Sequence, residues 1–518
     1  MKKQRLTAKG VDAPATATVS TGGSSSAVVL RLVSPRLAAV LLIAAVLLPN
    51  IGALTCGFVF DDLPMIVENQ KLHSLSTLPQ AWKSGIWPDG RSIPALRPVS
   101  QAVWATLWIA GGGSPVPFHA ANLLLAVGAT LLAWSLLREV AAPNVAFLAA
   151  LVWALFPIHT EAVTSIIGSA ELLAAVFGFA AVLLHRHGRP GPALLLFALA
   201  VFSKESGATF AGVAGVLWWL TPPRPVSRKI LARDAIAAGA VVLAALIAHR
   251  LAAKGPALIP PMDNPMSLLP WGGRILTALW VQVLYLGKTF FPIEFAADYS
   301  YKQIPLVMSF DNLRAFAGCL LVIAAGVAFW RWRSARLPVA LWVIPFTPTA
   351  NVLFPIGTIM GERLAYVPSL GAAVALALLL VRLPRCKLVL VCSLLILVCG
   401  AGTAVRNMDW RNADAFYPAL VKASPASTKA WYFLGVWHSA RGRDTEALAA
   451  YDRAIEIFPA YPEALNNRGN TLVSLGRIEE AKDSYRRCLR FDPTHKGAAA
   501  SLSALEAGSL FTPQRRRL

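Results

Sequence analysis

Long runs of apolar residues divide most of this chain, and they constrain its fold more than any other feature. Many of them approach the roughly 20 residues that an α-helix needs to cross a bilayer, and tilting accommodates shorter ones. Of the 518 residues, 56% are hydrophobic and 14% are charged, whereas soluble domains carry about 25% charged residues. The pattern excludes a soluble enzyme and predicts an all-α, polytopic membrane protein. The runs lie at Leu37–Leu54 and near 117–136, 144–158, 170–184, 191–203, 208–221, 235–249, 273–291, 315–330, 337–353, 364–381 and 388–405.

The net charge of +21 does not indicate nucleic-acid binding, because the basic residues gather in short loops between apolar runs. Such loops face the cytoplasm in most membrane proteins. If successive spans cross the membrane in alternating directions, all these basic loops lie in the cytoplasm, provided that the run 273–291 is re-entrant or interfacial. That arrangement leaves about eleven full spans. We therefore predict a multi-pass protein with a cytoplasmic N-terminus and an extracytoplasmic C-terminal domain.

A repeat of 34 residues marks the C-terminal part of the chain. Gly435, Tyr451 and Pro459 recur as Gly469, Tyr485 and Pro493, at positions typical of tetratricopeptide repeats. The predicted domains are a flexible basic tail (1–36), a membrane domain (37–405), a repeat α-solenoid (406–511) and a basic tail (512–518). The six cysteines are scattered and form no disulfide or zinc pattern.

Ionisable residues beside the spans are the candidates for function, because they are costly near a bilayer. Asp61 and Asp62 follow the first span in FVFDDLP, where they could act as a general base or simply cap a short helix. The other polar segments are PFHAANLLL, FPIHTEAV, FSKESG, ADYS and GERLAYVPS. Each segment could also have a purely structural role, such as an interfacial helix start, a turn with an internal ion pair, or an anchor whose long side chain reaches the membrane surface. A further glutamate, Glu171, comes ten residues after Glu161, at the start of another apolar run. With it, the candidate residues are His119, His159, Glu161, Glu171, Lys204, Glu205, Asp298, Glu362 and Arg363.

Carboxylates and cations near the outer mouth of a membrane cavity suit group transfer from a phosphate-linked lipid. A carboxylate could deprotonate an acceptor hydroxyl, and Arg363 and Lys204 could bind the departing phosphate. The carboxylates would also suit a divalent cation, Mg²⁺ or Mn²⁺, as a cofactor. No phosphate-binding G-x-x-x-x-G-K-[ST] loop is present in the sequence, so no ATP-driven step is indicated.

The order of these motifs resembles the transmembrane and tetratricopeptide-repeat (TMTC) O-mannosyltransferases. They are C-type (GT-C) glycosyltransferases that use polyprenyl-phosphate sugars. The run FPIHTEAVTSIIGSAELLAAVF is the most specific part of the resemblance. The chain resembles a short, bacterial form of the family, which implies the bacterial inner membrane. The resemblance also implies that the acidic catalytic residue of the first external loop is Asp61 or Asp62. The remaining candidates would belong to the family's other polar motifs.

The leading hypothesis is therefore transfer of a sugar, for which the family suggests mannose, to a hydroxyl of a protein or envelope glycan at the outer face. The repeats would present the protein acceptor or bind an assembly partner. Two alternatives stay open: a membrane-anchored repeat scaffold without catalysis, and a carrier of lipid-linked sugars.

Overall fold

The computed structural model describes residues 34–87, 95–223, 227–252, 259–292 and 294–508. The described residues form helices and connecting turns, without strands, so the all-α prediction is confirmed. The predicted tails at 1–36 and 512–518 lie outside the described residues, except for positions 34–36.

Every predicted apolar run contains a helix. The described α-helices of the membrane domain, within and between these runs, are α1 (Pro35–Asn50), α2 (Leu78–Ser84), α3 (Pro98–Ala110), α4 (Val116–Val140), α5 (Pro143–Leu155), α6 (Thr160–Thr164), α7 (Ser169–Arg186), α8 (Pro190–Ser203), α9 (Thr209–Leu220), α10 (Arg228–Ala252), α11 (Trp271–Phe290), α12 (Leu313–Arg331), α13 (Arg333–Phe346), α14 (Ser369–Leu380) and α15 (Arg385–Asp409).

Six described helices are long and apolar enough to cross a membrane. They cover Pro35–Thr55, Val116–Val140, Ile166–Arg186, Arg228–Ala252, Leu313–Arg331 and Arg385–Asp409. A seventh span results if α5 and the segment Pro157–Thr164, bent by 56°, are counted together. The prediction of a helical protein with several membrane-length helices is confirmed. The count of about eleven spans and the re-entrant placement of 273–291 stay predictions.

One of the shorter helices, α14, lies inside the bundle. Helix α14 has 12 residues, a length of about 18 Å, and most of its side chains are buried against α5 and α13. Breaks between such short helices place polar residues at membrane depth, where protein rather than lipid surrounds them. One such break follows α5, because Pro157 begins a separate turn at 157–159.

The C-terminal helices pair as the 34-residue period predicts. They are α16 (Ala413–Ala423), α17 (Thr428–Ala440), α18 (Asp444–Ile457), α19 (Pro462–Ser474), α20 (Ile478–Phe491) and α21 (Lys496–Glu506). Gly435 packs against the ring of Tyr451, and Gly469 packs in the same way against Tyr485. A Cβ atom at either glycine would lie within 2.6 Å of its ring, so the repeat requires glycine for close helix approach.

The repeats are joined to loops of the membrane domain by backbone hydrogen bonds. Gly57 N donates to the oxygen of Arg411 (2.9 Å), Lys302 N to that of Ala426 (2.8 Å), and Thr428 N to that of Tyr301 (2.7 Å). The first repeat helices therefore sit directly on the membrane domain.

Candidate functional site

A cavity of about 120 Å³, partly open to solvent, lies between loops of the membrane domain and the first repeat helices. Of the predicted candidates, it brings together Asp61, Glu161, Asp298 and Arg363. Its described lining does not include the other candidates. The remaining lining residues are Phe60, Leu63, Pro64, Glu68, Trp87, Asp263, Ala297, Gly357, Thr358, Met360, Gly361, Tyr417, Lys429, Phe433 and Val436.

Asp61 presents a carboxylate to this cavity. The chain turns sharply at Phe60, whose φ is 55°, and this turn precedes a π-helical turn at Leu63–Val67. The Asp61 side chain is 23% exposed, and its Oδ2 lies 3.9 Å from Nη2 of Arg363. Asp61 is therefore both accessible to a ligand and adjacent to a cation.

Asp62 points away from the cavity and is buried. Its Oδ1 accepts a hydrogen bond from Ile167 N (3.1 Å), and its Oδ2 accepts one from Val59 N (3.4 Å). Burial raises the pKa of Asp62 to about 7. Asp62 thus fastens the first external loop to the turn that begins α7, a role different from that of its neighbour.

Arg363 is held by Glu161, which follows the helix break at the end of the third apolar run. The Arg363 backbone N donates to Glu161 Oε2 (2.8 Å), and Nη1 donates to Oε1 (2.5 Å). The Glu161 side chain is 1% exposed, whereas that of Arg363 is 26% exposed. Although burial opposes it, the negative charge of Glu161 and then that of Asp61 raise the pKa of Arg363. Arg363 is a fixed cation at the cavity wall.

Glu362 faces the opposite way from Arg363 and is fully buried. Its Oε1 accepts hydrogen bonds from Ala296 N and from the Tyr299 hydroxyl, both at 2.6 Å. Burial raises the pKa of Glu362 to about 7. Glu362 holds the loop near 296–299 in place, which in turn presents Asp298 to the cavity.

Asp298 links the membrane domain to the first repeat. Its Oδ2 accepts hydrogen bonds from the hydroxyls of Ser300 (2.6 Å) and Ser427 (2.5 Å), and its backbone oxygen accepts one from Ser424 (2.7 Å). Ser427 also caps α17. This carboxylate therefore sets the position of the repeat helix that lines the cavity.

A second charged cluster lies between α7, α8 and α10. Lys204 forms a buried ion pair with Glu171, and the guanidinium of Arg97 binds Glu205 through Nη2 (2.9 Å). His249 lies 3.3 Å from the same Glu205 carboxylate. Burial lowers the pKa of Lys204, and the positive charge of Arg363 contributes to the lowering. The cluster lies near enough to the cavity for Arg363 to affect it.

Both candidate histidines are buried in packing positions. His159 Nε2 lies 2.8 Å from the hydroxyl of Ser369, and its ring packs edge-on against Trp153 and Tyr366. His119 is 1% exposed, next to Asn122, which donates to the carbonyl oxygens of Val163 and Ser165. His159 contacts structural neighbours at the helix break, and neither histidine is among the described residues that line the cavity.

Sequence reasoning missed three charged lining residues as members of the site: Glu68, Asp263 and Lys429. Lys429 Nζ lies 2.9 Å from Asp263 Oδ1, which joins α17 to the loop before α11. Asp263 stands in a noticeable Asp-Asn-Pro motif, but Lys429 occupies an ordinary helical position. Among the described residues there is no group of three or more His, Cys, Asp or Glu side chains that could hold a metal ion.

Comparisons with known proteins agree with the motif resemblance. The family model described as "Protein O-mannosyl-transferase TMTC, DUF1736" matches residues 254–326. Tetratricopeptide-repeat models match residues 439–476 and 462–495.

Curated relatives align over most of the chain. The mouse protein named Protein O-mannosyl-transferase TMTC3 is 27% identical over 483 residues, which cover 84% of this chain and 52% of that protein. A Caenorhabditis elegans protein O-mannosyl-transferase is 28% identical, with 82% and 63% covered. Human TMTC4, named in the same way, is 26% identical, with 76% and 63% covered. The chain thus resembles the TMTC family and spans between half and two thirds of the length of these relatives.

Proposed function

We propose that the protein is a membrane glycosyltransferase that transfers a sugar from a polyprenyl-phosphate donor to a hydroxyl of a protein acceptor. The observation that carries this proposal is the placement of Asp61 and Arg363, 3.9 Å apart, in one solvent-connected cavity. The names of the relatives support this proposal, since they describe protein O-mannosyltransferases. Mannose is therefore the first sugar to test.

Asp61 is the proposed general base. It removes the proton from the acceptor hydroxyl as the hydroxyl oxygen attacks the anomeric carbon of the sugar. The bond from that carbon to the donor phosphate oxygen breaks, and the polyprenyl phosphate leaves with the electron pair. Attack and departure occur on opposite faces of the sugar, so the configuration inverts.

Arg363 is the proposed contact for the leaving phosphate. A guanidinium presents several N–H donors in one plane, which suits a phosphate with growing negative charge. Glu161 occupies Nη1 and the backbone N of Arg363, so the rest of the guanidinium is already oriented toward the cavity. Such preorganisation is how a cation contributes to catalysis without reorganising during the reaction.

Lys204 takes a supporting part in this proposal. Its ammonium group is committed to Glu171 and buried, behind the described cavity lining. We propose that the pair stabilises the wall that carries Arg363. The donor's lipid chain would lie along the apolar helices, with the sugar and the cavity at the outer face of the membrane.

The test is glycosyl transfer by the full chain in lipid, with a panel of polyprenyl-phosphate sugars that includes mannose. Asp61→Asn keeps the shape of the side chain and removes the base, so we expect transfer to fall by about 10²–10⁴-fold. Asp311→Asn is the matched control, because Asp311 lies in an exposed loop outside the cavity lining. Transfer by a folded Asp61→Asn variant at the wild-type rate would overturn the mechanism. Absence of both transfer and donor binding would favour the repeat scaffold.

A further inference from the structure

The repeat domain forms one wall of the cavity that contains Asp61. Helix α17 contributes Lys429, Phe433 and Val436, which are spaced four and three residues apart and so share one helix face. Tyr417 of α16 completes this wall. We call these four residues the repeat wall.

Aromatic contacts and hydrogen bonds hold the repeat wall against the membrane domain. The ring of Phe60, directly before Asp61, lies 5.2 Å from the ring of Phe433 and 5.5 Å from that of Phe416. On the other side, Lys429 is paired with Asp263. The wall is therefore fixed relative to the proposed base by contacts at both edges.

Carboxylates outnumber cations in the described lining of the cavity. This lining contains five carboxylates, Asp61, Glu68, Glu161, Asp263 and Asp298, against two cations, Arg363 and Lys429. Glu161 and, at 3.9 Å, Asp61 share the cation of Arg363, and Asp263 is paired with Lys429. Asp298 accepts its hydrogen bonds from serine hydroxyls and a backbone N–H, and none of these donors carries a charge. Negative charge thus predominates between Asp61 and the repeat wall.

We propose that the repeat wall is the acceptor subsite of the enzyme, and that it takes an extended polypeptide segment with basic side chains close to the hydroxyl that receives the sugar. This inference rests on the proposed function and names its acceptor. The half-buried ring of Phe433 supplies a surface for the peptide, as large aromatic side chains commonly do, and the buried ring of Tyr417 lies behind it. The surrounding carboxylates select its charge. The repeats would then act inside the reaction cavity, rather than only presenting a partner from a distance.

The Lys429–Asp263 pair allows a decisive test, because neutralising Lys429 and neutralising Asp263 change the net charge of the subsite in opposite directions. Two synthetic peptides with the same central threonine are compared, one flanked by arginines and one by glutamates. The quantity measured is the ratio of kcat/KM for the basic peptide to that for the acidic peptide, with the full chain in lipid and the sugar donor that it accepts. Wild type should prefer the basic peptide.

Lys429→Gln makes the subsite more negative and should raise this ratio by roughly twofold to fivefold, whereas Asp263→Asn should lower it by a similar factor. The double variant should return the ratio toward the wild-type value. Both single variants break the same ion pair, so a purely structural role predicts the same direction of change in both. The double variant and thermal unfolding curves separate loss of folding from a change in selectivity.

Opposite shifts support the acceptor subsite. Shifts of the ratio in the same direction in both single variants overturn the acceptor subsite and leave the proposed function standing. The same holds if the wild-type protein transfers to both peptides equally. Absence of transfer from any polyprenyl-phosphate donor to any acceptor overturns the proposed function, and the inference with it.

Discussion

Arg363 binds both carboxylate oxygens of Glu161, one through its backbone N at 2.8 Å and the other through Nη1 at 2.5 Å. The two residues are 202 positions apart in the chain. Glu161 follows the break after α5, and Arg363 lies in the turn before α14, so the contact joins two interruptions of the helical bundle. It places a cation beside Asp61, and several consequences can be measured.

Replacing Arg363 by lysine tests the geometry of this contact. A lysine keeps the charge but cannot bind Glu161 and a phosphate in one plane. We expect kcat/KM for glycosyl transfer to fall by about 10- to 100-fold, since a bidentate contact is replaced by a single point charge. Arg382→Lys is the control, because Arg382 is exposed in the turn after α14. Equal activity of Arg363→Lys and wild type would exclude a bidentate role.

Asp62 predicts a pH dependence of stability. Its pKa is raised by burial from 3.8 to about 7, so between these values the folded state keeps a proton that the unfolded state releases. Stability should therefore be greatest below about pH 4 as far as Asp62 is concerned, and should decline by up to roughly 4 kcal/mol as the pH rises through 7.

Thermal unfolding in lipid between pH 4 and pH 8 measures this slope. Asp62→Asn removes the titration and should flatten the decline, while Asp311→Asn should leave it unchanged. Part of the slope should persist in Asp62→Asn, because the pKa of Glu362 is raised in the same direction. An unchanged slope in Asp62→Asn would show that Asp62 is ionised in the fold at all these pH values.

The Glu171–Lys204 pair predicts strongly non-additive effects on stability. Both side chains are buried, so Glu171→Gln leaves an uncompensated cation and should cost about 3–5 kcal/mol of unfolding free energy. The double variant Glu171→Gln/Lys204→Met should recover most of this loss. A double-variant cycle with denaturant unfolding measures the coupling, and additive effects of the two substitutions would contradict the ion pair.

Gly435 connects repeat packing to activity. An alanine Cβ there would lie 2.6 Å from the Tyr451 ring, so Gly435→Ala should destabilise the first repeat by about 1–3 kcal/mol. Because that repeat forms the cavity wall, transfer should fall although the membrane domain is unchanged. Gly326→Ala in α12 is the control, since its Cβ would meet open space. Full activity with a partly unfolded repeat, detected by limited proteolysis, would show that the wall is dispensable.

The sequence predicts the helices well because apolar length and the 34-residue period are local properties. Each of the apolar runs contains a helix, and Gly435 and Tyr451 pack as their period indicates. Helix α15 continues to Asp409, four residues beyond the predicted end of the membrane domain at 405, and the domain division itself stays a prediction.

The site was harder to predict, because adjacent residues can have opposite environments. Asp61 faces the cavity, while Asp62 is buried against Ile167. Arg363 faces the cavity, while Glu362 faces Tyr299. A turn separates each pair, and its direction depends on contacts more than a hundred residues away, which no local pattern encodes. Lys429 was missed for the same reason: its importance comes from where the repeat docks.

The hydrogen bonds that seat the first repeat on loops of the membrane domain have a consequence for biosynthesis. A ribosome makes α16 and α17 after α1 to α15, so a nascent chain ending before Ala413 would contain Asp61, Glu161 and Arg363 without the opposite side of their cavity. The cavity is therefore closed only once translation has passed α17. A chain that terminates earlier would keep the membrane domain and lack the assembled site.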